Sequence, residues 1–151
     1  MTKRLPLLTS LVSLGLATTM SCATSLPASY ETPGAPQTFA AQVTSGGALY
    51  GQHCAKCHGA SGEGDKAPRL VGLKEGALPL DPPADRKVRK TRFVSVADVA
   101  SFAVANMPPN QGGSLSADQY WAILAFDLEA NGIHLDQILG PEVAKTLTIP
   151  R

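Results

Sequence analysis

The sequence predicts an all-α domain, and three observations carry that expectation. Two Ser-led capping boxes, Ser95 with Asp98 and Ser116 with Gln119, each open a run whose apolar residues recur at helical spacing. Gly46 to Lys56 also reads as helix, and it delivers Cys54, Ala55, Lys56, Cys57 and His58 as a C-x-x-C-H motif. No convincing strand, repeat or second domain is evident.

C-x-x-C-H is the attachment sequence of a c-type haem. Two thiols three positions apart add across the two vinyl groups of one porphyrin, and the imidazole that follows, His58, falls on the iron as its proximal ligand. The same spacing also serves as half a zinc site and as a thioredoxin-type dithiol. Zinc would need a second ligand pair, whereas the remaining cysteine is Cys22, far upstream; a dithiol would want a strand before it.

The amino terminus resembles a secretory signal over residues 1–22. Lys3 and Arg4 precede an apolar stretch from Leu5 to Leu16, and small residues follow. The stretch falls short of the roughly 20 apolar residues that span a bilayer. Ser21 before Cys22 suggests a lipoprotein site, although Thr19 stands where Leu is usual, and cleavage after Ala23 would satisfy the small-x-small pattern instead. A periplasmic or other extracytoplasmic location follows, with a lipid on Cys22 as a membrane tether.

Residues 23–45, rich in Pro, Ser, Thr and Ala, read as a flexible linker. On a lipidated chain such a tether would reach about 25–30 Å. A domain over 46–140 follows, then a tail at 141–151 with no interpretable signal. The chain carries 13 basic and 12 acidic residues, and losing 1–21 removes Lys3 and Arg4 but no acid. So near-neutral a domain argues against nucleic-acid binding. About 95 residues make one small core, with few large aromatics, and a porphyrin would supply apolar area that the side chains lack.

In chain order, the first helix brings Leu49 and Tyr50 one turn ahead of the two thiols, and Gly59, Gly62 and Gly64 open a loop after it. The Ser95 helix carries Val96, Val99, Ala100, Ala103 and Val104 to about Asn106, where Met107-Pro108-Pro109 stops it. The Ser116 helix carries Tyr120, Ile123, Leu124 and Leu128 on one side, with Leu115 and Tyr120 as a staple, and ends at Asn131-Gly132. Met107 is the one methionine beyond position 20. In a loop well downstream of His58, it can approach the iron from the opposite face, where a thioether favours ferrous iron. The alternative is a core filler.

Gly-x-x-Leu-Tyr-x-x-x-Cys-x-x-Cys-His-Gly over Gly47 to Gly59, then Pro68, Leu70 and Gly72, Asn106-Met107-Pro108, Tyr120-Trp121 and Asn131-Gly132 resemble the small single-haem cytochromes c. The resemblance covers about Gly46 to Ile133. It implies a cytochrome c fold in which the first and last helices cross by Gly47, Tyr50 and the Tyr120 to Leu124 face, with one haem between them. It also implies that the Pro68 carbonyl accepts from the His58 ring and that Leu70 packs on the porphyrin. The departure is Lys74 to Phe93, longer and more charged than a minimal member needs.

That stretch holds Arg86, Lys87, Arg89, Lys90 and Arg92 after Asp81 and Asp85. Such runs are usually solvated loops; the alternative is a docking patch for an acidic redox partner. His53 is expected at the surface, and His134 is a second candidate for the sixth ligand behind Met107. Three functions fit. The first is a monomeric one-electron carrier, not an enzyme, with His58 and Met107 saturating the iron, serving a dehydrogenase, another cytochrome or a terminal oxidase. A haem enzyme or gas sensor would need an open or displaceable sixth position, and no His or carboxylate flanks Met107 to serve peroxide chemistry. A binding module would leave the cysteines unmodified.

Overall fold

The computed structural model describes residues 34, 36–77, 80–84, 87 and 89–150. The expected signal, Cys22 and most of the linker lie outside the described residues. Thr38 opens α1 (Phe39–His53), its hydroxyl accepting from the Ala41 amide at 3.1 Å. Phe39, Gln42, Gly46 and Tyr50 are buried, three or four residues apart, and form one stripe. The helix therefore takes in the last seven residues, 39–45, of the linker predicted to end at 45. Composition hides this start, because Ala, Thr and Ser dominate between the stripe residues. The stripe is held by tertiary partners: the Gln42 amide donates to the Leu139 carbonyl at 2.9 Å and accepts from the Leu139 amide at 2.8 Å.

At Cys54 the backbone departs from ideal helix, and α2 (Ala55–His58) follows as a single turn. Beyond a 3-10 turn at Leu73–Glu75 come α3 (Val96–Asn106), α4 (Ala117–Ala130) and α5 (Pro141–Thr146). Both predicted capping boxes form. Ser95 Oγ accepts from the Asp98 amide while Asp98 Oδ2 accepts from the Ser95 amide, and Ser116 pairs with Gln119 in the same reciprocal way. Met107, in extended conformation, ends α3 as a residue before proline should.

α1 packs along α4. Gly46 makes this possible, because a Cβ there would stand 1.8 Å from the Ala122 carbonyl oxygen. The tightest point of the crossing expected at Gly47 thus falls one residue earlier, and Gly47 faces the Phe126 ring. Tyr50 is buried with its ring 5.1 Å from Phe126.

The carboxyl-terminal segment, unreadable in the sequence, is part of the core. Ala144 and Ile149 are buried, the Val96 amide donates to the Leu147 carbonyl at 2.9 Å, and Ser95 and Thr148 form an isolated antiparallel bridge. A six-residue helix shows no periodicity, and its burial comes from α3. Apart from that bridge the described residues hold no strand, and no helix among them is long and apolar enough to cross a membrane.

Candidate haem site

Between α1–α2, α3 and α4 lies a cavity of about 450 Å³, far larger than a packing void. Cys54, Cys57 and His58 form part of its wall; Pro68 and Leu70 continue it; Met107, from the end of α3, lines it too. Cys54, Cys57, His58, Pro68, Leu70 and Met107 therefore share one cavity wall. Phe93, Val99, Phe102, Ile123 and Leu124 complete an apolar lining.

His58 is buried, and its Nδ1 lies 2.7 Å from the Pro68 carbonyl oxygen. A carbonyl only accepts, so Nδ1 carries the proton and Nε2 keeps its lone pair for a metal. The loop that brings Pro68 there closes on the motif itself. The Ala67 amide donates to Cys57 O at 2.9 Å, the Gly64 amide to His58 O at 2.7 Å, and the Tyr50 hydroxyl to Gly59 O at 2.8 Å. Gly59 needs its positive φ of 89° for this turn, and a Cβ would strike the Glu63 carboxylate.

Opposite contacts hold Met107. The Tyr120 hydroxyl donates to the Met107 carbonyl at 2.6 Å and accepts from the Gly113 amide at 3.1 Å, so α4 clamps both arms of the Met-Pro-Pro loop. Asn131 acts likewise on the other loop: its amide nitrogen donates to Leu70 O at 2.8 Å, and its Oδ1 accepts from the Gly72 amide at 2.9 Å. Sequence reasoning placed Tyr120 on the packing face and in a helix-start staple and Asn131 at a helix end, and gave neither a bond to these loops.

Four further positions stand out. Arg89 is no part of a solvated run: it is buried, its guanidinium donates to the Leu80, Thr91 and Asp81 carbonyls, and it lies 3.8 Å over the Phe93 ring in the cavity wall. Of the others in that stretch, Lys87, Lys90 and Arg92 are exposed, Arg92 pairing with Asp81 at 3.2 Å, and Arg86 lies outside the described residues. His53, expected at the surface, is half-buried and lines the cavity. His134 does not line it; its Nδ1 lies 3.0 Å from Glu129 Oε2 on the exposed surface. Finally, Asp127 is buried in the wall with Oδ1 unpartnered. The sequence held a signal for it, since a carboxylate sits in the apolar stripe of Tyr120, Ile123, Leu124 and Leu128.

Burial, Asp127 and Cys57 push the Cys54 thiol up to about 12, a poor setting for a reactive dithiol. Among the described residues no three His, Cys, Asp or Glu side chains gather as a metal cluster. A planar apolar cofactor fits where an ion would not: two thiols, one oriented imidazole and an apolar slot share one cavity.

Fold and site together define a small c-type cytochrome, whose haem is bound covalently and carries iron. The chain belongs to the family described as cytochrome C oxidase, cbb3-type, subunit III, whose model matches residues 41–126. It is also similar to a chain in the crystal structure of the sulfane dehydrogenase SoxCD from Paracoccus pantotrophus, with 33% sequence identity and a TM-score of 0.54. That match covers 72% of this chain and 53% of the other, so this protein spans about half the length of its structural relative. No curated protein matches the sequence. Electron transfer through haem is the function this family membership supports.

Proposed function

We propose that the protein is a one-electron carrier with a single haem attached through Cys54 and Cys57 and ligated by His58 and Met107. The haem supplies reversible one-electron chemistry when bound. The chain's own residues do the rest: the Pro68 carbonyl orients His58 and increases its basicity, Leu70 and the α3–α4 face exclude water, and Tyr120 holds the Met107 loop. The observation that carries the reading is Met107 in the same cavity wall as the thiols and His58, tied there through its backbone.

Its partners are redox proteins outside the cytoplasm, such as a dehydrogenase, another cytochrome or a terminal oxidase. Residues 1–22 direct export, and lipid on Cys22 keeps the domain near the membrane. With residues 39–45 in α1, the tether is shorter than composition suggests. A haem enzyme or gas sensor is the competing class. Redox titration of the haem-loaded protein should give one reversible one-electron couple, with electrons exchanged with a second c-type cytochrome and carbon monoxide refused by the reduced form. Ready carbon monoxide binding would transfer the protein to the competing class.

A further inference from the structure

The carrier reading leaves one buried group unused. Asp127 projects from the apolar stripe of α4 into the cavity wall, its Oδ1 without a hydrogen-bond partner. An unpartnered oxygen on a buried carboxylate carries a desolvation cost. The titratable groups whose charge reaches it come from the facing segment, Tyr50 on α1 and Cys54 at the α1–α2 junction. Neither can donate to it. The Tyr50 hydroxyl proton is committed to Gly59 O, and the Cys54 proton is lost when the thiol becomes a thioether. On its own helix, the Asn131 amide is committed to the Leu70 and Asp127 backbone carbonyls. The other ionisable residues of the cavity wall are His53, Cys57, His58, Lys66, Arg89 and Tyr120.

We propose that Asp127 is a redox-linked proton site, protonated when the iron is ferrous and ionised when it is ferric. The proposal rests on the carrier reading. Its physical basis is the charge in a low-dielectric cavity. Asp127 lines the same cavity as His58 and Met107, so its ionised form would be supported more by ferric than by ferrous iron held there. With one more electron in the cavity that support is lost, and the carboxylate takes up a proton. The step balances: one electron arrives from a redox partner, one proton arrives from water, and the only bond formed is the Asp127 O–H. Oxidation returns both. Burial alone already raises this carboxyl to about 8, which brings its titration close to neutral pH. Tyr50 is pushed above its ordinary range by burial first and by Asp127 next, and so stays protonated across the same interval.

The test is the midpoint potential of the holoprotein against pH, for wild type and Asp127→Asn, over about pH 5 to 10, either side of the value of about 8. Protonation favours the reduced form, so the wild-type potential should fall as pH rises. The limit is a tenfold change in the reduction equilibrium per pH unit, about 59 mV for one electron. Asp127→Asn should lose this slope and keep only the weaker contribution of the haem propionates. Redox-difference infrared spectra of wild type supply a second readout that needs no variant: a protonated-carboxyl band should appear on reduction, shift in heavy water, and be the band missing from Asp127→Asn. A flat wild-type profile, a slope unchanged in Asp127→Asn, or no such carboxyl band would overturn the proposal. Absence of any reversible one-electron couple would overturn the carrier reading itself, and this proposal with it.

Discussion

The Tyr120 hydroxyl is the smallest unit on which the site depends. It bridges the Met107 carbonyl and the Gly113 amide, the two arms of the loop that carries the proposed sixth ligand. Tyr120→Phe keeps the ring in the cavity wall but removes both bonds. Each is worth about 0.5–1.5 kcal/mol net, so a loss of about 1–3 kcal/mol is expected, measured by denaturant unfolding of the holoprotein. The iron–sulfur bond should also open at lower temperature, visible in absorption spectra, whereas unchanged melting of that bond would show that the clamp does not hold the ligand. His58 illustrates what a motif dictates from sequence, whereas the Pro68 role came from the family resemblance alone. C-x-x-C-H names the proposed ligand because its spacing is set by porphyrin geometry. Arg89 shows the opposite, since its five donors satisfy three backbone carbonyls of a loop whose path no local pattern reveals.

At the scale of elements, the helix starts were legible and the helix context was not. Ser95 with Asp98 and Ser116 with Gln119 are local signals, complete within four residues, and both boxes close in the structure. Asp98 accepts from the Ser95 and Val94 amides, and these bonds hold its carboxyl below the ordinary range. A depressed folded-state value means stability that is present above the ordinary aspartate range and lost as pH falls through the folded value. Asp98→Asn should therefore cost about 0.5–1 kcal/mol near neutral pH, and the gap to wild type should close in acid. Thermal melts at the two pH values check it, and a gap that widened in acid would contradict the assignment. The start of α1 and the whole of α5 escaped sequence reading for one reason. Phe39, Gln42, Ala144 and Ile149 are defined by the partners that cover them, which lie about a hundred residues away for Gln42 and Leu139 and about fifty for Val96 and Leu147.

For the whole molecule, a small chain with few large aromatics arranges its helices around a cavity that the cofactor completes. Residues from the motif, the Pro68 loop, the 74–93 segment, α3 and α4 all reach that cavity. The stretch flagged as a departure from the minimal family pattern thus builds wall instead of decorating the rim: Leu80 and Phe93 join the core, and Phe93 and Arg89 face the cavity. Among the described residues of that stretch, Lys87, Lys90 and Arg92 are exposed while Arg89 is buried in the wall. The central claim is that His58 and Met107 close the iron. The absorption spectrum of the oxidised holoprotein tests it most directly, in wild type and Met107→Ala. A weak far-red band from methionine sulfur on ferric iron is expected in wild type and should be lost in Met107→Ala while the haem stays covalently attached. A band that survives the substitution, or a wild type without it, would rule out Met107 as the sixth ligand.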